Sequence, residues 1–296
     1  MSERVPPGER VPPPLTGAEV GSLEEHCRWI REWILRSIHS NQTGHGGTSL
    51  SMVEMLALLY FRYMRHDPAH PADPGRDHFI LSKGHGAPAL YATLARAGYL
   101  PPEELRTLRR LESRLHGHPN AHALPGVDAS TGSLGQGISL SVGLALGWRA
   151  QGRDNRVFCM VGDGELQEGQ NWEAAMAGAK WGLDRLVVLV DRNGLQGDGD
   201  TEDVMPLGDL SAKWRSFGWH VQEVDGHRLD ALDAALRTAL RQQGRPAVLV
   251  ARTVKGKGVS YMEGVTHWHH HPVSDGELET ALADIGSGGS GRTGAR

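Results

Sequence analysis

Two oxygen-bearing side chains, Asp163 and Asn193, stand thirty positions apart, each at the end of a hydrophobic run and each beside glycine. Val157 to Val161 feeds Gly162-Asp163-Gly164, and Leu186 to Val190 feeds Asp191-Arg192-Asn193-Gly194. If both runs are strands of an open parallel sheet, both turns lie at its carboxyl edge, where ligands bind. A carboxylate, an amide carbonyl and the main-chain carbonyl of Leu195 suit a hard dication such as Mg²⁺, Ca²⁺ or Mn²⁺. Mg²⁺ ordinarily completes its shell with phosphate and water. The pattern therefore predicts a diphosphate held through a metal, with the Gly164 N–H at a helix start facing the phosphates. A bare Gly-Asp-Gly also occurs in plain strand-to-helix turns. The second strand and its Asn-Gly, at a matching distance, select the anchor.

Gly162-Asp163-Gly164 followed by Asn193 resembles the thiamine diphosphate motif, and Glu165 to Ala175 between them resembles transketolase. Further segments resemble that family in the same order along the chain. They are Thr43-Gly44-His45-Gly46-Gly47 (with Gly46 where the family has proline), Ser82-Lys83-Gly84-His85, Gly117-His118-Pro119, and Trp268-His269 fourteen residues after Lys255. The resemblance implies that His45, His85, His118 and His269 contact diphosphate, polarise sugar oxygens and move protons. Imidazole suits this because its unperturbed pKa lies near 7. A single loop histidine is ordinarily structural, but four in glycine-rich loops in the family order are not. His267, His270 and His271 are expected to be surface neighbours of His269, a metal-binding run being the other reading. Ser130 to Gly137 resembles the element whose Gly132 and Leu134 touch the aminopyrimidine, glycine allowing close approach to a flat ring. The resemblance also places Glu168 between paired cofactor sites, where an ordinary surface carboxylate is the alternative. Lys255 heads a Lys-Gly-Lys-Gly loop suited to anions, with solvated charge as the alternative.

Positioning these loops takes a scaffold of alternating strands and helices. That pattern predicts an α/β doubly wound parallel sheet flanked by helices, the thiamine diphosphate-binding fold. Helices are expected from Ser22, capped with Glu25, and over Ser51–Met64, Pro88–Ala97 and Leu134–Ala150. Strands are expected at Asp77–Leu81 and Ala247–Thr253, with two strand–helix units in Trp219–Leu240. Gly117 to Ser133 reads as a long loop, either functional or disordered, and the chain beyond Lys255 as loop. The expected organisation is a Pro-rich arm over 1–21, one domain over 22–284 and a Gly/Ser-rich tail over 285–296.

The 296 residues suffice for one large domain. A net charge of −4 gives no electrostatic reason for a nucleic-acid or membrane partner. No apolar run reaches the ~20 residues of a membrane span, and the N-terminus lacks a secretion-signal pattern. Cys27 and Cys159 read as buried thiols in a reducing cytoplasm.

The resemblance covers about Ser22 to Leu282. It extends only to the diphosphate-binding part of the family, without a candidate for the activating glutamate or the sugar-phosphate arginines. It therefore implies the N-terminal subunit of a split transketolase. Such a subunit would be completed by a C-terminal subunit carrying the pyrimidine-binding domain, in a two-plus-two heterotetramer. The implied reaction carries a two-carbon ketol unit from a ketose phosphate donor to an aldose phosphate acceptor. Transfer to a non-sugar acceptor in biosynthesis, the alpha subunit of a 2-oxo acid dehydrogenase, and a regulatory subunit without activity are the alternatives. The Ser82–His85 and Thr131–Gly137 segments favour transketolase over the dehydrogenase.

Overall fold

The computed structural model of the chain describes residues 10–287. The arm's first nine residues and the tail from 288 onward lie outside them. In chain order the elements are α1 (Gly17–Asn41), α2 (Gly46–Leu50), α3 (Val53–Leu58), β1 (His78–Leu81), α4 (Ala87–Ala97) and α5 (Gln136–Ala150). They continue with β2 (Val157–Gly162), α6 (Gly169–Lys180), β3 (Leu186–Arg192), α7 (Thr201–Val204) and α8 (Leu210–Ser216). The last are β4 (His220–Asp225), α9 (Leu229–Ala239), β5 (Ala247–Arg252) and α10 (Asp275–Gly286).

The five strands form one sheet in the order β1-β2-β3-β5-β4, and every neighbouring pair is parallel. Alternation along the strands splits the core in two. Phe158, Met160, Val187 and Leu189 face α1, α3, α4 and α9, while Val157, Cys159, Val161, Val188 and Val190 face α5, α6 and α8. Burial on both faces explains why β2 and β3 read as continuous apolar runs rather than alternating ones. The sheet is thus the doubly wound kind. In register, Gly162 lies beside Asp191, and Asp191 beside Ala251. This sets the carboxyl ends of β2, β3 and β5 level.

Several local expectations need correction. Ser22 does not cap α1. The helix starts a turn and a half earlier, where Thr16 and Glu19 form the capping box. Both sites read Ser/Thr-x-x-Glu, and the earlier one prevails because Arg62 also binds Glu19. The helix expected over Ser51–Met64 is broken into α2, α3 and a π-helical turn at Leu59–Tyr63. Trp219–Leu240 holds one strand–helix unit, not two. The segment after Lys255 is not all loop, since a 3₁₀ turn spans Thr266–His269 and α10 follows with a Ser274/Glu277 capping box. Gly164 opens a 3₁₀ turn, Gly164–Gln167, and the α-helix proper begins at Gly169. The described end of the arm lies on the surface, Arg10 pairing with Asp77 at 2.5 Å and Asp154 at 3.2 Å. Cys27 and Cys159 are free, buried thiols. No helix among the described residues is long and apolar enough to cross a membrane.

Candidate active site

Four adjacent strands deliver their carboxyl ends to one place. Ser82-Lys83 follows β1, Asp163 follows β2, Asn193 follows β3 and Lys255 follows β5. Asp163 is buried, and its two oxygens accept from Gly164 N at 2.9 Å and Gly194 N at 2.6 Å. Asn193 donates its amide to Asp191 at 3.2 Å and accepts from Leu195 N at 3.1 Å. Asp163, Asn193 and the Leu195 carbonyl are therefore gathered by the two loops that the sequence paired. The Leu195 carbonyl is not free, however. It accepts from Lys255 Nζ at 3.1 Å.

Burial, aided by Asp191, pushes the Asp163 carboxyl up to about 6. Among the described residues no cation pairs with this buried carboxylate, and a dication would satisfy such a donor. Above Gly162 the nearest atom to an added Cβ is Lys83 Cδ at 3.8 Å, so the strand end forms an open floor. The residues present thus fit a metal-bound diphosphate, with Asp163, Asn193 and Leu195 as the oxygen donors. Among the described residues no group of three or more His, Cys, Asp or Glu could hold a metal. That disposes of the histidine run at 267–271 as a metal cage.

The imidazoles cluster beside this edge. His45 to His85 is 5.2 Å between ring centroids, His45 to His269 is 5.4 Å, and His85 to His269 is 5.4 Å. The expected surface neighbour His270 is exposed, yet its ring lies closer to His45, at 4.5 Å. His267 and His271 pack on each other and on Trp268 instead. Lys255 Nζ lies 2.7 Å from His269 Nδ1, which distinguishes His269 from its neighbours. His118 is exposed, and a Cβ on Gly132 would meet its ring at 3.0 Å. Gly132 has φ +147°, so glycine is required there on both counts. Leu134 is half-buried on the same loop, just ahead of α5. Glu168 is exposed at the N-cap of α6.

Burial holds the cluster neutral. It lowers His45 to about 3, helped by the other histidines, and His85 to about 2, helped by Lys83. His269 falls to about 4 through burial and Lys255, and Lys255 itself falls to about 8 through burial and Lys83. At neutral pH these rings are uncharged imidazoles able to accept a proton or donate a hydrogen bond. Among the described residues neither His45 nor His85 has a hydrogen-bond partner for its ring nitrogens, so both can address a ligand.

The linkage has a definite sign. A histidine whose folded pKa is depressed stabilises the fold above its unfolded value near 6.5 and loses that contribution as pH falls toward the folded value. The urea midpoint is therefore expected to drop between about pH 6.5 and pH 4. His85→Gln should flatten that slope, and an unchanged slope would show that His85 is not buried neutral.

Sequence reasoning missed the charged frame beneath the site. Lys83 and Asp191 form a buried ion pair, and Asp191 also accepts from Ser51 and Thr253. Glu165 is buried, accepting from Ser82 Oγ, Gly135 N at 2.9 Å and Gly162 N at 3.1 Å. It ties three site loops together. Its place directly after Gly164 was the one available signal, because a glutamate there can turn back on its own strand end.

The family described as "Transketolase, thiamine diphosphate binding domain" matches residues 24–289. The chain belongs to the transketolase family. It is 44% identical over 263 residues to a 6-deoxy-6-sulfo-D-fructose transketolase subunit of Clostridium sp. (strain MSTE9), covering 89% of this chain and 96% of that protein. It is 41% identical to an apulose-4-phosphate transketolase subunit of Actinobacillus succinogenes, covering 89% and 95%. The solved transketolase of Leishmania mexicana superposes with a TM-score of 0.84 at 32% identity, over 89% of this chain but 41% of that one.

Proposed function

We propose that this chain is the diphosphate-anchoring subunit of a two-component transketolase, one that moves a two-carbon ketol unit between sugar phosphates. The observation that carries this reading is the convergence of four strand ends, a buried unpaired carboxylate and a cluster of neutral imidazoles on one open glycine floor. Support for a partner comes from the near-complete coverage of two relatives named as subunits, against 41% of the Leishmania enzyme. The partner would carry the pyrimidine-binding domain and the activating glutamate. Two copies of each chain, in the cytoplasm, is the expected assembly.

Thiamine diphosphate, when bound, supplies the electron sink for carbon–carbon bond cleavage and formation. Asp163, Asn193 and the Leu195 carbonyl would hold its Mg²⁺. Gly162 and Lys255 would face the diphosphate, joined by the Gly164 N–H once it leaves Asp163 Oδ1. Gly132 and Leu134 would meet the pyrimidine edge. His45 and His85 would receive the sugar oxygens, and His269, steadied by Lys255, would hand a proton at Nε2. His118, at the open rim, would bind the substrate further out. Glu168, exposed on this chain, would face an acid of the partner or of a second copy across the assembly.

The test compares the purified chain with the chain plus its pyrimidine-domain partner. Ketol transfer is expected only from the pair. Robust turnover of a ketose–aldose pair by this chain alone, with cofactor and Mg²⁺, would overturn the two-component reading. The histidines are then expected to separate. In the pair, His45→Ala, His85→Ala and His269→Ala should each lower kcat by a factor on the order of 10² to 10⁴. His118→Ala should fall less, acting mainly on KM. His271→Ala should be near wild type, since His271 hydrogen-bonds Pro272 O away from the cluster. His270→Ala now warrants a modest loss because of its contact with His45. A larger loss for His270 than for His269 would reassign the proton-handling role.

A further inference from the structure

The Lys255 ammonium sits on a tight turn whose backbone is bonded at the Gly256 N–H, to Gly47 O at 2.9 Å, and at the Lys255 carbonyl, from Gly264 N at 2.9 Å. Gly256 and Gly258 both take positive φ, +80° and +90°. A Cβ on Gly256 would sit 2.4 Å from Met262 O, so the turn is built to bend sharply. Two side-chain grips flank those bonds and add to what holds Lys255 against Leu195 and His269. Both come from behind the sheet edge. The Val254 N–H donates to His227 Nε2 at 2.8 Å, immediately before Lys255. The Lys257 carbonyl accepts from Arg31 Nε at 3.1 Å, two residues after it. Glu54 joins the two grips. Its Oε1 lies 2.5 Å from Arg31 Nη2, and its Oε2 lies 3.1 Å from His227 Nδ1. Because Nε2 accepts from Val254, Nδ1 is the ring nitrogen that carries a proton and donates to Glu54. Arg31 and Glu54 are buried, so this chain of bonds is made in a low-dielectric setting where each link is costly to break. A Cβ on Gly258 would press on Arg31 at 3.1 Å, which closes the frame.

We propose that Arg31, Glu54 and His227 are positioning residues that set the Lys255 ammonium in the cofactor site from outside it. They come from α1, α3 and the loop between β4 and α9, and none belongs to the imidazole cluster. The inference rests on the transketolase reading of Lys255. The frame also forms one wall of a cavity of ≈ 480 Å³ whose lining includes Arg28, Arg31, Glu54, His227, Arg228 and Lys257. That opening gives a small molecule access to the ring of His227.

Two isosteres separate positioning from bulk stability. Gln places its amide oxygen where Nε2 stands, and so keeps an acceptor for Val254. Asn places its amide where Nδ1 stands, and so keeps the donor to Glu54 but loses the bond to the turn. In the assembled enzyme His227→Asn is expected to raise the Kd for thiamine diphosphate about tenfold, roughly 1.4 kcal/mol. His227→Gln should stay within about threefold. Imidazole at millimolar concentration should restore most of the affinity of His227→Ala by entering the cavity.

Hydrogen exchange of the Val254–Lys257 segment, measured without cofactor, should quicken in His227→Asn and stay near wild type in His227→Gln. Equal behaviour of Asn and Gln in exchange and affinity would overturn the proposal. So would affinity losses that follow thermal midpoint across the variants, or failure of imidazole to rescue. If wild type itself binds no thiamine diphosphate, the cofactor reading fails, while the exchange result still decides whether His227 holds the turn.

Discussion

Asp163→Asn is expected to weaken Mg²⁺-dependent binding of thiamine diphosphate by roughly a hundredfold or more, without lowering the stability of the ligand-free chain. The two halves of this result have one cause. Ionised Asp163 sits buried beside Asp191, and its carboxyl is raised from 3.8 to about 6. A shift of about two units means that keeping it charged at neutral pH costs the fold about 3 kcal/mol. The sign follows from the raised value: the cost is absent below the unfolded pKa near 4 and complete above about 6. Asparagine removes that cost and keeps an oxygen for one of the two N–H donors now bound, from Gly164 and Gly194. It also removes the anionic ligand that the loop after β2 offers a dication. Calorimetric titration and a thermal scan of the ligand-free chain measure both halves. Unchanged affinity would sink the anchor assignment. A large fall in thermal midpoint would show that the carboxylate is chiefly structural. Asn193→Ala should weaken binding in the same direction. It should also cost the fold about 1 kcal/mol, because Asp191 and the Leu195 N–H each lose a partner.

What the sequence disclosed was whatever is written locally. Asp163 and Asn193 were legible because a buried parallel strand is a continuous apolar run, and a glycine turn at its end marks the sheet edge. The loop histidines were legible because glycine-rich segments set them apart. The Lys83–Asp191 pair was not, since its members lie 108 positions apart and meet only because β1, β2 and β3 are consecutive and parallel. Nor was the frame around Lys255, whose links span 226 and 173 positions. His270 is exposed, as expected of a surface neighbour, but its contact with His45 was not legible, for a different reason. The 3₁₀ turn ends at His269 and the next residue is extended, φ −147°, which swings its ring back toward His45. No period in the run of histidines encodes that reversal. The cap at Thr16 shows that a correct local rule can have two valid matches, with a distant arginine deciding between them.

The largest loss of stability is expected from Asp191→Ala. Asp191 is fully buried, and it accepts from Lys83, Ser51, Thr253 and Asn193. Burial alone would raise its pKa, but Lys83 and the hydroxyl donors outweigh burial and hold it below the ordinary carboxylate range. Such a pair is not a large net gain over an apolar one, because removing both ions from water is costly. Breaking it is another matter. Alanine leaves the Lys83 ammonium enclosed, 1% exposed, with the Thr48 carbonyl at 3.2 Å as its one remaining hydrogen-bond partner among the described residues. The expected cost is about 3–5 kcal/mol in urea unfolding at pH 7. Lys83→Met should recover part of that loss when combined with Asp191→Asn, since no unpaired ion then remains. A double-mutant cycle measures the coupling directly. The pH dependence separates this pair from the imidazoles. A depressed carboxylate contributes above its unfolded pKa near 4 and is lost only below it, so the effect of Asp191→Ala should be flat from pH 5 to 8. The upper part of the histidine slope, from about pH 6.5 to 5, falls inside that window. A loss below about 1 kcal/mol would mean that water or a shifted side chain reaches Lys83 once the partner is gone. In that case the charge beneath the site would no longer be the fixed one that now lowers His85, His269 and Lys255.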